Sequence, residues 1–494
     1  AHAYTSEGMY YVKAHCAFGS GYGAGFASAL YKVLQIPKYQ WGNKYTNLMY
    51  GFNGAPNLVY VDLSNIEIDT STQYTLDSMF LDCRNLETII WFKQKIKVSS
   101  NSSNGITSMF KGCSSLKTLD LRILDVSNVS HMENLCANCS SLKEVNISGW
   151  DTSKVTYTTN MFYGCTNLTS IIGIGNLDLS SCRSMTLMFY SCTSMETIDT
   201  SNWNCRNAGS GLFQGCSALK EIKGIENLVN SNWTSCDSLF RDCTSLTAIN
   251  TSNWDLSNIN NVESMCQRCS SLTSLDLSKF NSTGKSISYN SMFENCTNLS
   301  NLLLPSLLQG KSFYRMFNYC TSLTDLKGTT FEDITQETEN TTNNLTGMTL
   351  MFNNCRKLEY IGTIINRGGL DTTFGGCINL KSVKELQFAR TDSIYNTSTI
   401  FKGIDRNPNV IDINFTVTAN SKGPSYFYGT TNTWNQPNLS RETVVKLFNC
   451  LSTFNGSSGT IGSTTNPLQF SKTTKARLSD SDIAIATAKG WTIS

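Results

Sequence analysis

A solenoid of short α/β repeats, with a parallel sheet on one side and short helical turns on the other, is predicted by three features of this 494-residue chain. A cysteine recurs in one register, apolar residues stand at constant offsets around it, and the apolar period changes within each unit. The cysteines in register are Cys83, Cys113, Cys139, Cys165, Cys192, Cys216, Cys243, Cys269, Cys296, Cys320, Cys355 and Cys377. Most intervals run 24 to 27 residues, inside the roughly 20 to 29 residue range of leucine-rich repeats. Met or Leu precedes the cysteine by four and Phe by three, and aliphatic residues follow at three and six; Met161, Phe162, Cys165, Leu168 and Ile171 show the full set. Two degenerate copies, with Ala55 and Ile404 at the cysteine position, bring the array to about fourteen repeats. A position that accepts Ala and Ile reads as a packing position, where free cysteine acts as a small hydrophobe.

The residues at minus four, zero and plus three share one face at helical spacing, so Met-Phe-x-x-Cys predicts a short helical turn. The following segment alternates, as in Leu119-Asp120-Leu121, and predicts a strand with its outer two residues inward. The outward positions carry Asp62, Asp120, Asn146, Asp199, Asn250 and Asp276, a polar ladder able to face a ligand. A second apolar column, Ile66, Leu124, Trp150, Trp203, Trp254, Phe280 and Leu307, is expected to wall the core. One unit cannot bury its own apolar face, whereas stacked units share a core.

The Phe-x-x-Cys-x-x-Leu-x-x-Ile unit resembles the BspA-like leucine-rich repeat of bacterial surface proteins over roughly residues 51 to 415. That resemblance implies a non-enzymatic adhesin or recognition protein. The chain differs from the commonest form in having Met before the Phe, where Ala is frequent, and little Pro after the strand.

Residues 1–50, with the Gly-rich run from Gly19 to Gly25, break the pattern and read as an N-terminal cap or attachment segment; 51–415 form the solenoid; 416–494 form a C-terminal α/β capping segment. In the last, Ser440 caps a helix with Val444, Leu447, Phe448 and Leu451 on one face, ending near Gly456. Leu468–Phe470 predicts a strand, Ser479 caps a helix over Asp480–Lys489, Gly490 ends it, and Trp491–Ile493 closes as a strand. The stretch from Leu478 to Thr492 resembles the C-termini of repeat proteins carried by bacteriophages and prophages of gut bacteria. Beginning at Ala1 without Met or a signal-like run, the chain reads as a processed product or a piece of something longer.

With 39 basic and 37 acidic residues and no charge runs, the sequence shows no footprint of nucleic-acid binding, and no apolar stretch is long enough for membrane insertion. Cys136-x-x-Cys139 and Cys266-x-x-Cys269 arise where cysteine replaces the repeat Phe, so they read as packing and not as metal or redox pairs. Gly284-Lys285-Ser286 and Gly310-Lys311-Ser312 lack the first Gly of a phosphate loop. His2, His15 and His131 are the only histidines, and no His-x-x-x-His or Gly-x-Ser-x-Gly occurs. Carboxylate pairs for glycoside hydrolysis need only two acids in a cleft, so that alternative stays open behind the others. The sequence therefore predicts no catalytic residues, metal or cofactor. It predicts an extracellular adhesion or host-recognition protein on a virion or bacterial surface, with a host glycan or surface protein and neighbouring structural proteins as partners and homo-oligomerisation left open. The competing reading is a decoration or spacer of a capsid, tail or envelope, without a ligand of its own.

Overall fold

The computed structural model describes residues 49, 51–64, 68, 70, 71, 73–99, 105–205, 209–334, 347–389, 400–404, 407–418, 437–451, 467, 468 and 470–493. The fold is a parallel-strand β-solenoid of about 12 turns with few helices. The buried Ala55 and Ile404 fill the cysteine position in two further turns. The segment before residue 49, Ile66 and Gly456 lie outside the described residues.

The chain divides into two compact units, Ala1–Trp233 with Asp242–Ser245, and Thr234–Arg241 with Leu246–Ser494. In the first, strands Thr118–Asp120, Glu144–Asn146 and Ser170–Ile172 pair in parallel, bringing Leu119, Val145 and Ile171 into one buried row. Leu119 and Leu121 are buried and Asp120 is exposed, as the alternation predicts. In the second, Leu307–Gly310, Asp325–Asp333, Tyr360–Asn366, Ser382–Phe388 and Asp412–Val417 form one five-stranded parallel sheet. Leu124, Trp150, Trp203, Trp254 and Phe280 of the second column are buried, and Leu307 is half-buried. The indole N–H of Trp150 donates to the Leu121 carbonyl at 3.0 Å, and that of Trp203 to Ile174 at 2.9 Å.

The Met-Phe-x-x-Cys segment differs from its predicted form: it is a run of β-turns. In the Cys83 coil, the amides of Met79, Leu81 and Cys83 donate back to Leu76, Ser78 and Phe80, three residues earlier. The intervening amides of Ser78, Phe80 and Asp82 donate instead to Thr107, Met109 and Lys111 of the next coil, at 2.7–2.9 Å. Two left-handed residues produce this alternation. Five residues before each register cysteine, from Ser78 (φ 53°) to Thr372 (φ 54°), and one before it, from Asp82 (φ 58°) to Gly376 (φ 64°), φ is positive. A left-handed residue at the third place of a β-turn reverses the peptide that follows, so successive peptide groups point alternately within the coil and along the stack. A continuous helix would spend every amide inside its own coil.

The repeat phenylalanines stack between coils: Phe52, Phe80 and Phe110 at 5.2 and 5.6 Å, Phe162, Phe189 and Phe213 at 5.7 and 5.8 Å. In the second unit Phe293, Phe317, Phe352, Phe374 and Phe401 continue likewise at 5.5–6.1 Å. Such pairs contribute about 0.5–1.5 kcal/mol each beyond the area they bury.

Beyond the sheet, helices α1 (Arg441–Cys450), α2 (Lys472–Lys475) and α3 (Asp480–Thr487) follow, α2 being additional to the predicted set. Ser440 and Ser479 cap α1 and α3 as predicted, and Gly490 is left-handed (φ 84°). The strand Pro467–Leu468 pairs in parallel with Thr492–Ile493. Buried Val444, Leu447 and Phe448 turn inward from α1, and the Thr443 hydroxyl accepts from the Ile413 amide of the last solenoid strand at 2.9 Å. Arg441 clamps Asp482 through two hydrogen bonds of 2.8 and 2.9 Å and holds its carboxyl well below the usual range. Lys489 Nζ donates to the carbonyls of Phe448, Asn449 and Leu451, which end α1.

Two glycines test the left-handed requirement. At Gly112 (φ 79°) a Cβ would stand 2.5 Å from Asp82 Oδ1, whereas at Gly54 (φ 69°) nothing lies within 4 Å. Gly54→Ala should cost about 1–2 kcal/mol in equilibrium denaturation, the backbone penalty alone. Gly112→Ala should cost more, and equal effects would contradict the close stacking of these turns.

Candidate ligand-facing site

All twelve register cysteines are buried, and each thiol does more than pack. Cys83 Sγ donates to Phe52 O at 3.0 Å, Cys113 to Phe80 O at 3.1 Å and Cys192 to Phe162 O at 3.2 Å. Cys139, Cys216, Cys243, Cys269, Cys320, Cys355 and Cys377 repeat the bond to the Phe of the preceding coil at 3.0–3.1 Å. Where cysteine replaces that Phe, the bond persists: Cys165 donates to Cys136 O and Cys296 to Cys266 O, each at 3.0 Å. The pure packing role expected for this column is thereby corrected. In coils from Phe80 to Phe352, the carbonyl three residues before a register cysteine typically accepts that cysteine's amide, as Phe80 and Phe110 do, and the next coil's thiol takes its second lone pair. Ile404 has no thiol to donate to the Phe374 carbonyl; in the same turn Asn407 Nδ2 bonds to the different carbonyls of Leu380 and Cys377, at 2.8 and 3.4 Å.

The six ladder residues face outward, five of them at the ends of their strands and Asn250 just after the isolated bridge at Ala248. Each side-chain oxygen, however, accepts the amide two residues on: Asp62 from Ser64, Asp120 from Arg122, Asn146 from Ser148, Asp199 from Ser201, Asn250 from Ser252 and Asp276 from Ser278, at 2.9–3.2 Å. These are Asx turns that close the strands. The Arg122 side chain lowers the Asp120 pKa, and hydrogen bonds from Ser201 and Ser278 lower those of Asp199 and Asp276. Nor is the column uniformly polar. The register places Ile90 opposite Asp62, Ile172 opposite Asn146, Lys223 opposite Asp199 and Leu303 opposite Asp276. Ile90, Ile172 and Leu303 are exposed, Leu303 by 50%.

Two clefts open on this face where backbone pairing is interrupted. In the first unit, Ser170–Ile172 and Thr197–Asp199 belong to separate sheets. Left-handed Gly173 (φ 93°) leads there into a 3-10 turn, Ile174–Asn176, which the next coil grips with Asn202 Nδ2 on Gly175 O at 3.0 Å and with Trp203. The result is a cleft of about 170 Å³ between Ile171, Ile198, Asp199 and Lys223. In the second unit a larger cleft of about 350 Å³ lies among Asn250, Trp254, Asp276, Lys279, Asn301 and Leu303. Lys279 Nζ spans its wall to Ser252 O at 2.8 Å. Buried Trp254 lines the base, exposed Leu303 the rim, and the remaining lining groups offer carboxylate, amide and hydroxyl. Such a surface can hold a polar ligand that has one apolar face.

Other sequence candidates fall elsewhere. Lys285 donates to Ser257 O and the Gly284 amide to Gln309 Oε1, so that tripeptide is a turn between coils. Gly310 ends a strand, and Ser312 Oγ donates to Asn290. His131 stacks on Tyr157 at 5.1 Å between centroids. His2, His15 and the run from Gly19 lie outside the described residues. Among the described residues, no helix is long and apolar enough to cross a membrane.

A family model described as "Mycoplasma protein of unknown function, DUF285" matches residues 35–144, 104–221 and 208–325, more than half of the chain. The chain belongs to this family. The matched segments of the DUF285 protein coincide with most of the repeats that carry the thiol column and with both clefts. No curated protein matches it. Solved structures similar to it include a leucine-rich repeat protein from Bacteroides ovatus, at 17% identity and a TM-score of 0.37, over 78% of this chain and 80% of that one. A leucine-rich cell surface protein from Faecalibacterium prausnitzii is similar at 16% identity and a TM-score of 0.29, over 65% and 83%. A leucine-rich repeat protein from Leptospira interrogans is similar at 13% identity and a TM-score of 0.25, over 95% and 96%.

Burial pushes the pKa of Cys83, Cys205, Cys216, Cys236 and Cys377 up to about 12 and that of the partly exposed Cys450 to about 11. Thiolate is the reactive form. Mass spectrometry after brief iodoacetamide treatment of the native protein near neutral pH should find these six unmodified, Cys450 reacting first as pH rises. Rapid native labelling of the register column would contradict the burial described.

Proposed function

We propose that this DUF285 protein is a non-enzymatic recognition protein, displayed on a bacteriophage virion or a bacterial cell surface, that engages a host glycan or surface protein through its outward strand face. What supports the reading is that ladder acids, exposed aliphatic residues and a cleft coincide on that face in each unit. The larger cleft, between Asp276, Lys279 and Leu303, is the strongest single feature. Contacts made by short polar side chains are individually weak, and many copies on one particle raise avidity without new contacts. The virion setting rests on the C-terminal resemblance, with residues 1–50 as an N-terminal cap or attachment segment and 416–494 as the C-terminal cap.

A spacer role without a ligand is the second reading. It is favoured by the ladder itself, whose side chains each close their own turn. Binding to glycan arrays and intact bacterial cells separates the two. Asp276→Asn keeps the acceptor for Ser278 while removing the charge, and Leu303→Glu changes only the rim. Each should weaken binding by about tenfold, roughly 1.4 kcal/mol, with unfolding unchanged. Undiminished binding would move the site off this face, and no binding by a multivalent display would leave the spacer.

A further inference from the structure

In the first unit, three fully buried polar atoms without hydrogen-bond partners fall in one column of three successive coils: Asp77 Oδ2, Thr107 Oγ1 and Glu133 Oε2. Each is six residues before its register cysteine. Asp77 is 4% exposed, and its other oxygen accepts the amides of Gly105 and Thr107 at 2.9 and 3.0 Å, so it leans toward the middle coil. Glu133 approaches from the opposite side. The Thr107 hydroxyl lies close enough to lower its pKa somewhat, though without hydrogen-bond geometry. The same column in the second unit shows what is missing: Glu263 Oε1 accepts from Asn290 Nδ2 at 2.9 Å and from the Ser288 hydroxyl. There the neighbouring coil supplies donors. Between Asp77 and Glu133 it supplies one hydroxyl, which can donate to only one of two carboxylates.

We infer that Asp77, Thr107 and Glu133 form a proton-binding relay that locks these three coils together when it is loaded. One proton taken from solvent onto Asp77 Oδ2 donates to Thr107 Oγ1, whose own hydrogen donates to Glu133 Oε2. Once the three side chains close to hydrogen-bond distance, all three atoms are satisfied and one negative charge remains. A metal fits less well, because among the described residues no group of three or more His, Cys, Asp or Glu side chains is placed to hold one. The Asp77 charge raises the Glu133 pKa, His131 faces both carboxyls and its positive form lowers both pKa values, and the Cys182 thiol also lies near Glu133. Desolvation outweighs these effects, and both carboxyls sit above their ordinary values of 3.8 and 4.5. A raised folded-state pKa gives stability that is complete below the unfolded value and lost as pH rises through the folded one. The lock therefore tightens on acidification and loosens toward alkaline pH.

Asp77→Asn places an amide N–H where the proton would sit and keeps the acceptor for Gly105 and Thr107. Equilibrium unfolding of the full chain with EDTA, from about pH 8 to about pH 5, is compared between wild type and Asp77→Asn, with Glu133→Gln as the second variant. At high pH the variants should be as stable as wild type or more so. As pH falls, the wild-type unfolding constant should decrease relative to theirs by up to about tenfold per pH unit, the limit for one proton. A constant deficit of both variants at every pH would overturn the relay. So would wild-type stabilisation by added calcium or magnesium that EDTA reverses, which would make this a metal site.

Discussion

Along the register, the carbonyl three residues before a cysteine, as at Phe80 and Phe110, serves two donors at once, and the packing of the solenoid depends on it. Its own coil supplies the cysteine amide and the next coil supplies the thiol. That geometry exists because left-handed residues five and one before the cysteine turn alternate peptide groups along the stacking direction. The coils are thus joined by backbone hydrogen bonds on the turn side as well as through the strands. With the spacing set on two sides, the phenylalanine rings fall into stacking distance and the tryptophans close the wall.

Much of this was legible from residue offsets. The cysteine register, the inward and outward alternation around Leu119, the tryptophan column and the caps at Ser440 and Ser479 follow from buried apolar positions and turn chemistry, which a single sequence displays. The turn ribbon was not, because Met at minus four, Cys at zero and Leu at plus three satisfy a helix and a chain of β-turns alike. The discriminating signal lay one residue before the cysteine, where Gly112, Gly164 and Gly215 alternate with Asn138, Asn295 and Asn354. Arg268 and Tyr319 at the same position, left-handed without that chemistry, blur it.

The thiol's role was hidden for a related reason. Ala55 and Ile404 suggest that any small or apolar residue suffices, yet they occupy the first and last copies of the array. The ligand-facing column was only half visible. Its Asp and Asn steps stand out as polar, whereas Ile90, Ile172, Leu303 and Lys223 share the register without sharing the chemistry. The clefts were not visible at all, since they arise from strand pairs that part, in the first unit beside a 3-10 turn after Gly173. On the proposed reading, the closed Asx turns make the ladder chiefly structural, and the exposed aliphatics and interrupted pairing make the breaks the place for specificity.

The thiol-to-carbonyl bond is the link most open to direct observation, through the S–H stretching band in the Raman spectrum of the native protein. Uniform donation to carbonyls predicts a narrow band displaced to lower frequency than that of unbonded thiols, losing intensity in proportion as register cysteines are replaced by valine and broadening on unfolding. A broad native band at the unbonded frequency would mean that the thiols only fill space, and the account of how the coils are held in register would fail.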